Sequence, residues 1–377
     1  MPRTGAFTDE RVVNPPAPEA ARPPSPNGRT AASAPAVTII NRESGFPVTG
    51  AFPISFAPQL KTQVWGGRLL AEQLRKPLPT SELYGESWEI SPLTQATSVA
   101  AGQPWGDATL AEMWSRYPMW RGPQLQSATQ FPWLIKWLDC RDRLSVQVHP
   151  DAEASFRLTG EVQPKNEAWV VVHAEPTARV WAGCRPGTTP EELADRLAAG
   201  TVVECLHEFT PQAGDCVYLP SGTLHAGGGG LLMAEVQQPS DLTYRLFDWN
   251  RVGLDGRPRE LHLAAGLACL HWPQAPVKPV VPAILAESQP QIRGERLLST
   301  PEFQLDRWTV SQPWSRQTDE FAVWMVLHGS GRLTCDGHER NVTAGETVWF
   351  PAVSVETTWQ PTTDEPLVLL KVTPPVN

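Results

Sequence analysis

The sequence predicts a mainly β protein that contains two similar β-barrels and a few inserted helices. The chain of 377 residues has 39 prolines and 28 glycines but only 19% charged residues, a composition that favours turns and short strands. Short β-branched or aromatic runs lie between Gly, Pro and Asp, as in Ala168–His173, Cys216–Leu219 and Phe321–Leu327. Gly214–Pro220 and Gly345–Pro351 share one frame, a turn glycine, a strand of five residues and a closing proline. A duplicated barrel explains this internal repeat.

The chain divides into four predicted segments. Residues 1–50 are expected to be a disordered, proline-rich tail, because the stretch up to about Val37 has no Leu, Ile, Trp or Tyr with which to build a core. Residues 51–272 are predicted to form the larger, catalytic domain. The proline-dense residues 273–290 indicate a linker, and residues 291–377 are predicted to form the second barrel.

Three helices are predicted within the first domain. The clearest begins at Thr189, where an N-cap threonine precedes Pro190, and ends at Gly200. Asp107–Tyr117 and about Glu260–His271 are the other two candidates.

Composition excludes several classes of function. The formal net charge is −9 and no run of Lys and Arg occurs, so nucleic-acid binding is not expected. No apolar stretch approaches the roughly 20 residues that span a bilayer, and the N-terminus lacks the apolar core of a signal peptide, so we expect a cytoplasmic protein without membrane association. The six cysteines are widely spaced and form no Cys-x-x-Cys pair, which predicts buried thiols rather than a zinc knuckle.

One motif points to a metal. Gly214-x5-Pro220-x-Gly222-x2-His225 resembles the second sequence motif of cupin jelly-roll barrels, in which the final histidine binds a metal ion. The second copy keeps the first glycine and the proline but has Val353 and Glu356 where glycine and histidine would stand. The fold class is therefore two cupin-type jelly-roll barrels, of which the N-terminal barrel is catalytic and the C-terminal barrel is degenerate.

Further ligands for this metal are expected on neighbouring strands. In Leu144–His149, alternation places Ser145, Gln147 and His149 on one face, and polar groups are costly to bury unless they are satisfied. Glu167, eighteen residues after His149, begins the next strand. With His225, these residues give the candidate ligand set Gln147, His149, Glu167 and His225, whose nitrogen and oxygen donors suit zinc.

Several segments together resemble the type I mannose-6-phosphate isomerases, the zinc-dependent phosphomannose isomerases of the cupin superfamily. The resemblance covers roughly Phe52 to Leu263 and is closest to the compact bacterial type. It depends on Val64–Gly67, Gly85–Ser91, Phe131–Lys136, Leu144–Pro150, Pro164–Glu167 and Ser240–Arg251.

The resemblance implies one Zn²⁺ per chain, bound by the same four ligands, and a sugar phosphate as substrate. The implied reaction interconverts mannose 6-phosphate and fructose 6-phosphate through an enediol. It also implies that Lys136, Lys165, Glu235 and Arg245 line the active site. The lysines and Ser145 would contact substrate hydroxyls or phosphate, and Arg245 would stabilise developing negative charge. Either Glu235 or a water on the metal could transfer the proton.

Two other functions fit parts of the pattern. His149, Glu167 and His225 alone form the two-histidine, one-carboxylate set of iron(II) oxygenases, which also occur in the cupin superfamily. A non-catalytic sugar-binding cupin is the second alternative. Gln147 as a fourth ligand and the cationic candidates favour an isomerase acting on an anionic polyol. The sequence leaves the oligomeric state open, although a monomer is favoured.

Overall fold

The computed structural model describes residues 53–102 and 104–375, and antiparallel strands make up most of their regular structure. The predicted tail over residues 1–50 lies outside the described residues. The first barrel contains β1 (Gln59–Gly67), β2 (Tyr84–Ile90), β3 (Leu134–Cys140), β4 (Val146–Val148), β5 (Glu167–Ala174), β6 (Arg179–Cys184), β7 (Leu206–Phe209), β8 (Cys216–Leu219), β9 (His225–Gly228), β10 (Leu231–Gln237) and β11 (Tyr244–Phe247). The second contains β12 (Ala283–Ile284), β13 (Ile292–Ser299), β14 (Gln304–Val310), β15 (Trp314–Thr318), β16 (Ala322–His328), β17 (Ser330–Cys335), β18 (His338–Thr343), β19 (Thr347–Phe350), β20 (Val355–Pro361) and β21 (Leu367–Thr373).

Each barrel consists of a six-stranded sheet and a smaller sheet. In the first barrel the strand orders are β1-β2-β3-β10-β5-β8 and β11-β4-β9-β6-β7. In the second they are β12-β13-β14-β21-β16-β19 and β15-β20-β17-β18, so the two six-stranded sheets have equivalent connectivity. The prediction of a mainly β protein with two barrels is confirmed.

The repeated sequence frame is one structural element that occurs twice. Gly214 has a φ of +96° and Gly345 a φ of +94°, a region that favours glycine. The Gly214 amide donates to Val171 O over 2.8 Å, and the Gly345 amide donates to Val326 O over 2.9 Å. The frame therefore marks an equivalent turn in each barrel, and that turn leads into an equivalent edge strand, β8 in the first barrel and β19 in the second.

The helices are short and few. They are α1 (Leu69–Glu72), α2 (Leu110–Arg116), α3 (Ala152–Thr159), α4 (Pro190–Ala199) and α5 (Leu263–Cys269), with 3₁₀ turns at Thr94–Ala96, Pro118–Arg121, Pro123–Leu125 and Val202–Cys205. No helix in the described part of the chain is long and apolar enough to cross a membrane.

The three predicted helices are confirmed in position, but α1 and α3 were not predicted. The Thr189 side chain caps α4 by accepting from the Glu192 amide, and Gly200 adopts the left-handed conformation at the other end. Helix α2 begins later than predicted because Thr109 caps it in a capping box with Glu112. Helix α3 was not predicted; Asp151 caps it.

The two six-stranded sheets pack against each other through a shared hydrophobic core. This core includes residues of β3 and β5 from the first barrel and of β14, β16 and β21 from the second. A hydrogen bond of 3.1 Å from Trp137 Nε1 to Gly345 O crosses between them. A separate core, which includes Leu138, Trp169 and Met233, fills the first barrel beside the site described below. All six cysteines are buried, as predicted.

Candidate active site

Three side chains of the types that bind metal ions converge inside the first barrel. His149 follows β4, Glu167 begins β5 and His225 begins β9, and each is at most 1% exposed. His149 Nε2 lies 3.3 Å from Glu167 Oε2, and His225 Nε2 lies 3.2 Å from Glu167 Oε1. One donor atom from each residue lies within 4.8 Å of the others, and this is the only such group of His, Cys, Asp and Glu among the described residues.

The backbone orients both imidazoles toward this centre. His149 Nδ1 lies 3.0 Å from Leu242 O, and His225 Nδ1 lies 2.9 Å from Thr223 O. We assign the ring protons to Nδ1, because a carbonyl can only accept, so each Nε2 lone pair faces Glu167. Burial, followed by the charge of Lys165, lowers the pKa of His149 to about 3, so its ring stays neutral as a metal ligand must be.

The remaining donors also fit a metal. Neither carboxylate oxygen of Glu167 receives a well-aligned hydrogen bond, although the residue is fully buried and Lys165 Nζ lies 3.0 Å from Oε2. An unsatisfied buried carboxylate is costly, and a cation between these donors would satisfy it. Gln147 pairs with His225 across β4 and β9, and its amide nitrogen lies 3.3 Å from His225 Nε2. Since amide nitrogen and oxygen can be exchanged by a flip, Gln147 can offer its oxygen to the same centre.

A polar cavity of about 270 Å³ opens from this centre. Its lining includes six of the residues predicted from the sequence: Lys136, Ser145, Gln147, Lys165, Glu235 and Arg245. The fold thus brings all of the predicted site residues either to the metal centre or to the adjoining cavity.

Lys136 lies at the middle of a buried group of charges. Its Nζ lies 3.1 Å from Glu235 Oε1, 3.6 Å from Glu86 Oε2 and 3.7 Å from Asp241 Oδ1, and 4.9 Å from the centre of the Trp88 ring. Burial opposes the charge on Lys136, but the three carboxylates outweigh it and raise its pKa. Burial also raises the pKa of Glu235, with Lys136 acting against that shift. Lys136 therefore remains protonated, and Glu235 is a carboxylate that gains a proton more readily than usual.

The other predicted residues have distinct surroundings. Lys165 Nζ lies 3.2 Å from His149 Nε2, next to the metal centre, and is not solvent-exposed. Ser145 Oγ lies 3.3 Å from the Gln147 side-chain oxygen. Arg245 pairs with Gln147 across β11 and β4, and its Nη1 donates to Glu260 O over 2.8 Å. Within the described residues Arg245 has no carboxylate partner, so it is not part of a surface ion pair.

Comparison with known proteins agrees with this geometry. The family model for the phosphomannose isomerase type I catalytic domain matches residues 54–168. The chain is 34% identical over 283 residues to mannose-6-phosphate isomerase ManA of Bacillus subtilis, an alignment that covers 74% of this chain and 87% of that protein. The chain belongs to the type I phosphomannose isomerase family.

Other members of the phosphomannose isomerase family show the extent of the similarity. The mannose-6-phosphate isomerase of Streptococcus mutans is 33% identical over 303 residues, covering 79% of this chain and 92% of that protein. The crystal structure of the Bacillus subtilis mannose 6-phosphate isomerase has a TM-score of 0.77 at 28% identity, covering 85% of this chain and 99% of that one. A mannose 6-phosphate isomerase structure bound with zinc and yttrium shares the fold, with a TM-score of 0.68, 14% identity and coverage of 86% and 100%.

The second barrel does not repeat the candidate metal ligands Glu167 and His225 at the equivalent described positions. Glu167 pairs with Leu219, the residue before the closing proline of the frame, and the equivalent partner in the second barrel is Ala322. The sequence frame placed Glu356 opposite His225, but Glu356 is exposed and Thr357 points inward, only 2% exposed. Along β20 the residues on either side of Glu356, Val355 and Thr357, are buried, so alternation places Glu356 on the outward face. A family model for an AraC-like ligand binding domain matches residues 306–375 of this barrel.

Three charged residues that line the cavity were not predicted as site residues from the sequence. They are Glu86, Asp241 and Arg259. Glu86 and Asp241 lie within segments that resemble the phosphomannose isomerase family, so their position in those segments was the available signal. Nothing local distinguished Arg259 from the other arginines of its loop.

Proposed function

We propose that this chain is a zinc-dependent aldose-ketose isomerase that interconverts mannose 6-phosphate and fructose 6-phosphate through an enediol. The observation that supports this most strongly is a buried histidine and carboxylate centre that opens into a cavity lined by charged side chains, in a chain of this family. His149, Glu167 and His225, with Gln147, would hold one zinc ion. When bound, zinc would act as a Lewis acid that polarises the substrate oxygens.

Glu235 is the residue that we assign to proton transfer. Its Oε2 accepts a hydrogen bond of 3.1 Å from Trp169 Nε1, while its buried Oε1 accepts no well-aligned hydrogen bond and lies 3.1 Å from Lys136 Nζ. A carboxylate with a raised pKa and one fixed oxygen can accept a proton at the other. In the forward direction Glu235 takes the proton from C2 of mannose 6-phosphate, exchanges it in part with solvent, and delivers a proton to C1, while the hydroxyl proton moves from O2 to O1.

The cations stabilise the charge that develops during this transfer. Arg245 lies beside Gln147 at the edge of the metal centre, where its guanidinium can donate to a substrate oxygen as negative charge forms. Lys165 and Ser145 line the same cavity and can donate to substrate hydroxyls. Lys136 holds Glu235 in place.

The cationic lining also argues against an iron(II) oxygenase. An oxygenase needs only the two-histidine, one-carboxylate set, whereas Arg245, Lys136 and Lys165 suit an anionic polyol. Four further points remain predictions: zinc as the native metal, one ion per chain, a monomeric state and a cytoplasmic location.

Deuterium exchange tests the proposed chemistry. We expect fructose 6-phosphate made from mannose 6-phosphate in D₂O to contain deuterium at C1, measured by NMR. Glu235→Gln should reduce turnover by at least about 100-fold, within the range that general acid–base catalysis supplies. Glu153→Gln, at an exposed site on α3, is the matched control and should leave turnover unchanged. Complete retention of the C2 hydrogen at C1 over many turnovers, or an active Glu235→Gln variant, would contradict the assignment.

A further inference from the structure

The two sides of the active-site cavity differ in charge. On one side, the carboxylates Glu86, Glu235 and Asp241 surround a single ammonium group, that of Lys136. This side has an excess of negative charge. The remaining charged side chains of the lining are the cations Lys165, Arg245 and Arg259, and we call this set the cationic side.

Arg259 is fixed on the cationic side by a buried carboxylate. Its Nε donates to Asp248 Oδ2 over 2.7 Å and its Nη2 donates to Asp248 Oδ1 over 2.5 Å. Asp248 is only 6% exposed and also accepts from Arg251 Nη2 over 2.9 Å. Arg251 has a second carboxylate partner, Asp142, over 2.9 Å, so the net positive charge of this side comes from Arg245, which forms no ion pair with a described carboxylate. Asp248 pre-organises the Arg259 guanidinium beside that charge.

The cations are arranged outward from the metal centre. Arg245 is the register partner of Gln147, a candidate metal ligand. Burial lowers the pKa of Arg245, and the charge of Arg259 is the next largest cause, so the two guanidinium groups interact. Strand pairing thus places Arg245 beside the metal centre, and the interaction between the two charges places Arg259 beside Arg245.

This order matches the layout of a sugar phosphate. The reacting carbons of a hexose 6-phosphate, C1 and C2, lie at one end of the open chain, and the phosphoryl group is on C6 at the other end. If C1 and C2 lie at the metal centre, the phosphoryl group must bind away from it. The carboxylates around Lys136 would repel a dianion, whereas a guanidinium fork matches phosphate geometry.

We propose that Arg259 binds the phosphoryl group of the substrate and so determines the preference for a phosphorylated sugar. This inference rests on the proposed isomerase function and adds a specificity-determining residue to it. Asp248 is a positioning residue that acts through Arg259.

The test compares Arg259→Gln and Arg259→Lys with Arg257→Gln, a change at an exposed arginine of the same loop that does not line the cavity. Two quantities are measured on each zinc-loaded protein: KM and kcat for mannose 6-phosphate, and the affinity for inorganic phosphate by calorimetry. Arg259→Gln should raise KM at least about tenfold, which corresponds to about 1.4 kcal/mol, with kcat changed less than about threefold. It should weaken phosphate binding by a similar factor. Arg259→Lys keeps the charge and should recover part of both losses, and Arg257→Gln should change neither.

The other possible outcomes decide between the Arg259 assignment and the proposed isomerase function. Unchanged phosphate affinity in Arg259→Gln, an unchanged KM with a reduced kcat, or no phosphate binding by the wild-type protein would overturn the assignment. If the wild-type protein binds phosphate through Arg259 but does not isomerise mannose 6-phosphate, the anion site stands and the proposed function fails.

Discussion

Removing the charge of Lys136 should destabilise the protein strongly. Lys136 is 3% exposed and is the only cation in ion-pair contact with Glu235 among the described residues. Lys136→Met keeps an unbranched apolar stem of similar length but leaves Glu235 and Glu86 near each other without a countercharge. The variant thus tests whether the buried cluster depends on its single ammonium group.

The geometry gives the expected size of the effect. Breaking a buried ion pair by removing one partner costs about 3–5 kcal/mol, because a buried charge is left uncompensated. Asp241 is half exposed and adds little, since water screens it. We therefore expect a loss of about 3 kcal/mol in the free energy of unfolding at pH 8. Without Lys136 the pKa of Glu235 rises further, so protonation relieves the penalty and the loss should be smaller at pH 5.

Urea denaturation with a closely matched control measures this loss. Lys61 Nζ lies 4.9 Å from the centre of the Trp88 ring, the same distance as Lys136 Nζ, but Lys61 forms no ion pair with a described residue. Lys61→Met should cost no more than about 1 kcal/mol. Adding Glu235→Gln to Lys136→Met should recover part of the stability, because the uncompensated charge is then absent. Equal losses for the two lysine variants, or no recovery in the double variant, would show that the charge of Lys136 does not stabilise the buried cluster.

Three further predictions concern stability and metal binding. Burial raises the pKa of Asp139 from 3.8 to about 6, so the native state binds this proton more tightly than the unfolded state does. The free energy of unfolding should therefore fall by up to about 3 kcal/mol as the pH rises from 4 to 7.5. Asp139→Asn should remove that loss in pH-dependent urea titrations, and identical pH profiles for variant and wild type would contradict it. Glu167→Gln should weaken zinc binding at least tenfold in chelator competition while keeping the fold, and unchanged affinity would exclude Glu167 as a ligand. Gly345→Ala should lower the free energy of unfolding by about 1 kcal/mol or more beyond the loss caused by Gly337→Ala, as measured by urea denaturation. Both glycines have positive φ, but only the Gly345 methyl would lie 2.4 Å from a backbone oxygen, Leu74 O; equal losses would contradict the clash.

The elements that the sequence predicted well are those with local causes. A threonine cap, a following proline and a C-terminal glycine define α4 within a dozen residues of chain. The turn glycines Gly214 and Gly345 likewise need a positive φ at one position, and that need is visible as glycine in both copies. The candidate metal ligands could also be predicted, because their spacing follows the strands and the family resemblance implies the same four residues.

The elements that were missed depend on faces and on long-range pairing. Helix α3 has Asp151 and Gly160 at its ends, but its two large apolar residues, Phe156 and Leu158, are exposed, so no buried apolar face marked it. Glu356 was aligned with His225 by counting residues, yet the alternation along β20 turns Glu356 outward and Thr357 inward. Residue counts cannot reveal such a difference.

The cavity lining shows the same limit. Glu86 and Asp241 reach Lys136 only because β2 pairs with β3 and because the loop before β11 returns to the same end of the barrel. Arg259 reaches the cavity through its contact with Asp248. These contacts join residues tens of positions apart in the chain or depend on a fixed rotamer, so sequence spacing does not contain them.

The most direct test is a coupled assay of mannose 6-phosphate conversion to fructose 6-phosphate on metal-stripped protein, with and without added zinc. The stripped protein should be inactive, and added zinc should restore conversion up to one ion bound per chain. Protein that demonstrably binds zinc at His149, Glu167 and His225 yet converts no mannose 6-phosphate would contradict the proposed isomerase function.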